Sequence, residues 1–439
     1  DLYAQGLFEV GNQEIDAKIG RSVANWGESL FFLGINSYSV LDVAALRRPG
    51  AELKEALLPT NQLQLAFPLD NGTIEAFYQF EWERTTVDGC GTYFSGADLG
   101  LDSSCNALTL NVAPDAGALA GGFRLQRGAD VEASDSGQFG LNYKFFAEAV
   151  DTEFGLYYVN YNSHVPIISA VNPAAPGVPA LVGTGSYFLE YVDDVQVFGL
   201  SGSTDLGGWS VAGELSYHKD LPVQINTPDA LAYLVSGGAA GPLAPALGLA
   251  TPGDVVHGYE LMDKTQLQFN FLKAWPQVLG ASNFVAVGEA VFVHTGGLDD
   301  SATGVRYGRA PMFGSAVHPT YGGGCGLPAP APANLSKWCD DDGYVTKNAW
   351  GYKLRGELSY TNLIAGTAVK PSVFWGHDVE GYSPTGMLVE DRKTLGLGLT
   401  FDINKAHFVN LTYNKFFDSA EYDVLQDRDF ASISFGTSF

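Results

Sequence analysis

The chain has 439 residues, enough for several ordinary domains or for one large barrel. Its 24 basic residues against 49 acidic ones give a formal net charge of −25, which repels phosphate and argues against a nucleic-acid partner. The 53 Gly, 21 Tyr and 27 Phe with only 3 Met describe a β-rich chain with many tight turns, and no run of about 20 apolar residues reads as a spanning helix.

In chain order the sequence alternates apolar and polar residues in runs broken by turn residues. About fifteen strands are expected, near residues 1 to 10, 13 to 22, 61 to 69, 73 to 85, 137 to 149, 153 to 162, 186 to 199, 208 to 218, 257 to 272, 284 to 295, 346 to 361, 367 to 377, 391 to 403, 407 to 416 and 429 to 439. Between the second and third lies the most unusual segment, 23 to 60, too long for a plain connection. Within it Ser39 and Asp42 read as a capping box for a short helix through Leu46 that Pro49 and Gly50 break. This helical insertion is expected to fold into the lumen as a constriction or plug carrying Arg47, Arg48, Glu52, Lys54 and Glu55, with Arg47, Arg48 and Lys54 meeting inward carboxylates such as Glu75 or Glu81. A lid that seals the barrel without touching cargo is the equal alternative.

The clearest hairpin joins Gln62–Leu69 to the strand from Thr73 across Asp70, Asn71 and Gly72, an Asn-Gly turn between alternating runs. In its second strand Ile74, Ala76, Tyr78, Phe80 and Trp82 share one face, and Glu75, Phe77, Gln79, Glu81 and Glu83 the other. Later strands repeat the pattern: Phe139, Leu141, Tyr143 and Phe145 against Asn142, Lys144 and Glu148; Leu215 and Tyr217 against Glu214 and His218; Leu354 and Leu358 against Lys353, Arg355 and Glu357. Val285, Val287, Val291 and Val293 fall beside Glu289 on an inner, partly apolar face.

A sandwich also alternates, but here the greasy faces carry aromatics near their ends and the loops alternate in length. Short turns fall at Gly11, Asn71, Asp151, Leu206, Gly280, Gly366 and Lys405, and long loops fall between them. The fold class that follows is all-β: one transmembrane antiparallel up-and-down barrel over residues 1 to 439, with the 23 to 60 insertion inside it. The lumen-lining set is Glu75, Lys144, Glu148, Glu190, Glu214, Glu289, Lys353, Arg355, Glu357 and Lys370. Running strand polarity back from Phe439, the strand at Asp1 descends from the long-loop side, so a signal peptide and an odd number of strands are expected ahead of it, 16 to 18 in all. One miscounted strand is the alternative.

Cys90 with Cys105, and Cys325 with Cys339, form two local pairs in long loops and read as two disulfides of an oxidising compartment. Zinc is the rival, without C-x-x-C spacing to support it. The acidic tips "LDD" at 298 to 300 and "CDDDG" at 339 to 343 read as solvated, with calcium or lipopolysaccharide bridging as the alternative; no metal set or cofactor is expected. The apolar loops 164 to 185 and 229 to 250 either line a greasy vestibule or fold onto each other as a cap. No catalytic motif stands out, His218 beside Glu214 being the thin candidate, so an enzyme is not expected.

Two stretches carry resemblances. The closing "ASISFGTSF" resembles the terminal strand of bacterial outer-membrane barrels, which implies that Phe435 and Phe439 are read by the barrel assembly machinery. "NWGES", "DVAALRRPGAELKEALLP", "EAFYQFEWERT" and "CGTYFS" resemble the Gram-negative outer-membrane family catalogued as DUF1302, a domain of unknown function, most strongly from Gly20 to Ser95. The resemblance implies an outer-membrane barrel among lipid and lipopolysaccharide. It also implies a periplasmic lipoprotein or RND-type exporter as neighbour, and traffic of hydrophobic molecules. The expected function is an outer-membrane channel or transporter for hydrophobic or amphipathic small molecules. A non-conducting scaffold that docks periplasmic partners and a general polar-solute porin are the alternatives.

Overall fold

A computed structural model describes residues 2–11, 13–46, 56–95, 107–109, 115–314, 318, 320–321, 340–364 and 366–437. The first hairpins are β1 (Leu2–Val10) with β2 (Gln13–Ser22) and β3 (Thr60–Leu69) with β4 (Gly72–Gln79). Short strands β5 (Ala107–Thr109) and β6 (Arg124–Arg127) sit in the next loop, before β7 (Phe139–Ala147) and β8 (Thr152–Tyr161). Another loop holds β9 (Ile167–Val171) and β10 (Ser186–Glu190), followed by β11 (Val195–Asp205), β12 (Ser210–Gln224) and the two-residue β13 (Val255–Val256). The rest are β14 (Tyr259–Pro276), β15 (Asn283–Gly296), β16 (Asn348–Ile364), β17 (Thr367–Glu380), β18 (Lys393–Ile403), β19 (His407–Phe416) and β20 (Phe430–Thr437).

Fifteen of these form one antiparallel sheet in chain order, β1-β2-β3-β4-β7-β8-β11-β12-β14-β15-β16-β17-β18-β19-β20. This is the up-and-down wall that the alternation predicts, and every one of the seven short turns lies where the sequence puts it. The wall curls. Tyr93, in the long loop after β4, donates to Asp429 O at the start of β20 at 2.8 Å, and Phe94 packs edge-on against Phe430.

Parity decides which side meets lipid. Leu141, Leu156, Leu200, Leu215, Phe269, Leu354, Leu397, Ile433 and Phe435 point away from the lumen and are exposed, whereas the residues between them are covered or polar. A continuous exposed apolar belt of this kind is stable against the hydrocarbon of a bilayer. Aromatics gather at both ends of this belt. Phe139, Tyr158, Phe198 and Tyr217 form one ladder with ring centroids 5.1 to 6.3 Å apart, and Trp209, Trp275 and Phe284 form another near the short turns at 5.3 and 5.6 Å. These are the girdles expected of a membrane barrel. Phe435 lies in the belt; Phe439 is outside the described residues.

The second sheet is the surprise. Strands β13-β9-β10-β6-β5 assemble from the long loops into five strands of their own. The predicted strand 186 to 199 therefore splits: β10 ends at Glu190, and "YVDD" turns the chain with Asp194 at φ 64, its N–H held by Asn162 Oδ1 at 3.0 Å. The apolar loops fold onto each other. Ala170, Leu181, Tyr187, Tyr233, Leu234, Leu243 and Val256 form one core with Val223, Ile225 and Met262 from the long-loop ends of β12 and β14. Asn226 caps the helix Thr227–Ser236 through Asp229 N at 3.2 Å, and Arg306, 1% exposed, clamps Asp229 with two bonds of 2.6 and 2.8 Å.

Candidate functional site in the barrel lumen

The insertion leaves β2 at Ser22, whose carbonyl accepts from Gln62 Nε2 at 2.5 Å, and turns into the lumen. Tyr38 stacks on inward Phe77 of β4 at 5.1 Å, Trp26 packs tilted against the same ring at 4.8 Å, and Ile35 joins Tyr157, Val159, Val195 and Val197 in the same buried cluster. Residues 35–38 make one 3-10 turn, and a short helix follows at Val43–Leu46. Asp42 Oδ1 accepts Ala45 N at 2.8 Å, so Asp42 caps that helix, and the expected Ser39 capping box is corrected. Both residues can accept; Asp42 stands at the position from which the first free N–H groups are in reach.

Irregular backbone at membrane depth must find partners inside the protein. Two wall carboxylates supply them. Glu214 of β12 accepts from Ile35 N at 2.6 Å and Glu28 N at 2.8 Å, and from Gln268 Nε2 at 3.2 Å. Glu289 of β15 accepts from Leu30 N at 3.1 Å, Phe31 N at 2.5 Å and Phe32 N at 3.0 Å. Both are 2% exposed. Amides take the carbonyls: Asn270 Nδ2 donates to Glu28 O at 2.5 Å and Gln266 Nε2 to Leu33 O at 2.9 Å. Lys353 of β16 sits 4.2 Å over the Phe32 ring and 3.5 Å from Phe31 O. Glycine is required on both sides of Glu214: Gly27 has φ +95, and a Cβ on Gly27 or Gly34 would run into the carboxylate oxygens.

An amide stripe on β14 extends the anchor. Lys264 Nζ donates to Gln266 Oε1 at 3.0 Å, Gln266 Nε2 to Gln268 Oε1 at 2.8 Å, and Gln268 Nε2 reaches Glu214. The run "KTQLQFN" carries the signal, inward polar groups at every second position opposite an unexplained loop, and sequence reasoning passed over it. His164, just past β8, was also missed. Its Nδ1 lies 2.7 Å from Glu83 O and its Nε2 3.0 Å from Tyr38 O, tying the insertion to the outer loops. Burial is the larger influence and pushes this imidazole down to about 4, against the two carbonyls, which favour the cation.

The other expected site residues scatter. Glu75 accepts from Asn142 Nδ2 at 2.8 Å, Lys144 faces Thr73 across the β4–β7 register, Arg355 pairs with Glu357 at 3.0 Å and Lys370 with Asp402 at 3.5 Å, all on the inner wall. Glu148 is corrected: β7 stops at Ala147, and Glu148 lies exposed in the 3-10 turn Glu148–Val150 that Asp151 closes at φ 48. Glu190 is corrected as well, because it belongs to the loop sheet, where it accepts from Ser169 Oγ at 2.7 Å and faces His257 Nδ1 at 2.9 Å. His218 meets Ser216 and Ser37 rather than Glu214, whose oxygens go to the insertion. The acidic tip at 340 to 342 serves arginines: Asp341 pairs with Arg306 at 3.3 Å, and the carbonyls of Asp340 and Asp342 accept from Arg309. Arg47, Arg48, Glu52, Lys54 and Glu55 lie outside the described residues, as do Cys105, Cys325 and Cys339; Cys90 is disulfide-bonded.

The sequence profile of the family described as "Protein of unknown function (DUF1302)" matches residues 1–439. The chain belongs to that family. No curated protein matches it. Among solved structures, this DUF1302 chain is similar to OmpT, an outer membrane protein of Vibrio cholerae, at 9% identity over 92% of this chain and 80% of that one, with a TM-score of 0.33. It is also similar to OccK9 (OpdG) of Pseudomonas aeruginosa at 10% identity, covering 97% and 72% of the two chains with a TM-score of 0.34. An anion-selective porin from Comamonas acidovorans follows at 9% identity, 98% and 82% coverage and a TM-score of 0.34. The DUF1302 barrel lies in the bacterial outer membrane, its apolar belt toward lipid and its short turns forming the periplasmic rim.

On the periplasmic side of the anchor one row of the DUF1302 lumen sets apolar side chains around a single arginine. Leu272, Val287, Arg355 and Phe374 pair in register across β14, β15, β16 and β17. They share the parity of Asn270, Glu289 and Lys353, which touch the insertion, so this row faces inward. Phe31 reaches Phe374 edge-on, with ring centroids 5.8 Å apart.

Proposed function

We propose that this barrel is an outer-membrane channel through which small hydrophobic or amphipathic molecules pass, with the insertion as its constriction. The observation that carries the reading is the path of the insertion. It starts between β2 and β3, crosses to Glu214, Glu289 and Phe374 on the far wall, and sets Phe31, with Leu30 exposed beside it, against Phe374, whose register row also carries Leu272 and Val287. An apolar narrowing disfavours hydrated ions and tolerates apolar bodies. A periplasmic lipoprotein or an RND-type exporter is the proposed partner at the periplasmic rim.

Planar-bilayer recording tests this. The intact chain is expected to give little steady conductance, and deletion of residues 25–38 to open a stable one. A steady conductance of porin size from the intact chain would overturn the constricted-channel reading. One feature favours a second reading, a plugged scaffold: five insertion N–H groups are committed to two buried carboxylates. Silence before and after the deletion would support that scaffold.

A further inference from the structure

We propose that the periplasmic side of the constriction holds a subsite for an amphipathic anion, an ionised acid head on an apolar body, with Arg355 receiving the head; the inference deepens the passage reading above and rests on it for the ligand's route. Arg355 stands between two apolar neighbours of its own row, Val287 on one side and Phe374 on the other. Its side chain is 53% exposed although it faces inward, so the guanidinium is open to the lumen. One of its N–H groups donates to Glu357 Oε2 at 3.0 Å, and its remaining donors have no partner among the described residues.

The neighbouring cations are committed elsewhere. Lys353 lies against Phe32 and the insertion carbonyl, and Lys370 against Asp402. Glu357 cancels much of the field of Arg355, so a bare inorganic anion gains little there. An oxyanion bound through two parallel N–H groups gains geometry as well as charge. A body that also covers Val287, Leu272, Phe374 and Phe31 gains burial in addition. Adjacent strands are about 4.8 Å apart, so head and body contacts lie within a short amphiphile's length.

Photolabelling of the full chain in lipid nanodiscs tests the subsite. The probes are a diazirine-bearing dodecanoate at pH 8 and the matching diazirine alcohol, with labelled positions read by peptide mass spectrometry. The acid is expected to label Val287, Phe374 and Phe31 in preference to the alcohol. Arg355→Met is expected to lower that lumen labelling about tenfold, the scale of one charge-assisted hydrogen bond, while leaving alcohol labelling and labelling of the outer belt unchanged. Arg355→Lys is expected to keep part of it, and excess decane sulfonate, but not sulfate, to compete. Equal lumen labelling by acid and alcohol, acid labelling confined to the belt, or an Arg355→Met profile identical to the parent would each overturn the proposal. Should Arg355→Met alter the belt pattern and so reveal misfolding, the acid-against-alcohol contrast in the parent chain decides. If the subsite labels as expected but proteoliposomes do not take up the acid, the subsite stands and the passage reading falls.

Discussion

The two sides of the lumen are built differently. From β8 to β16 the inner wall carries Tyr157, Val197, Glu214, Gln266, Gln268 and Glu289, and the insertion covers it through buried bonds. From β18 to β20 the inward residues include Gly396, Gly398, Thr412, Ser432 and Ser434, and the side-chain bonds between these strands, Thr412 Oγ1 with Ser432 Oγ at 2.9 Å and Thr400 Oγ1 to Asn410 Oδ1 at 3.2 Å, run within the wall. One side is a socket; the other is a smooth polar surface. The bonds that hold the insertion fall on the first of these walls.

Replacing the anchors should remove the difference. Glu289→Ala strips three N–H groups of their acceptor and should cost roughly 3 kcal/mol, read as a lowered urea midpoint of the folded barrel, with conductance rising as the insertion loosens. Gly34→Ala forces a Cβ against Glu214 and Gln268 and should cost about 2 kcal/mol by the same assay, with the same direction in conductance. Gln268→Leu breaks the amide relay at one joint and should cost about 1 kcal/mol. On the opposite wall Thr412→Val should stay within about 0.5 kcal/mol and leave conductance unaltered. An equal effect on both walls would end the distinction between them.

His164 sharpens the same contrast with pH, because it holds the insertion to the outer loops. Its folded value of about 4 lies below the ordinary 6.5, so between them the unfolded chain binds the proton and the folded one does not. The stability it contributes is present above about pH 6.5 and is lost as pH falls toward 4. Thermal midpoints followed by Trp82, whose ring lies 6.4 Å from His164, should drop over that window, and His164→Phe should flatten the dependence.

Much of the wall was legible in the sequence, because alternation and turn residues are local. The parity of Glu214, Glu289 and Lys353, and the seven turns, needed only neighbours two residues away. What the carboxylates do was not legible. Their partners are backbone N–H groups on a segment 179 to 259 residues distant, and no local pattern announces such a pairing. Glu190 and Glu148 went astray for a related reason: apolar runs near 186 and 148 read as wall strand, but β10 stops at Glu190 ahead of the turn at left-handed Asp194, and β7 stops at Ala147 ahead of the 3-10 turn that Asp151 closes. The loop sheet was missed because strands of two to five residues in apolar loops carry too little periodicity to separate from coil.

The crossing insertion also constrains how the barrel comes together. Its acceptors on β12 and β15 are synthesised long after it, so its N–H groups stay unmet until Glu214 and Glu289 arrive. The socket is a late, long-range contact of the fold, formed only when most of the wall strands already exist.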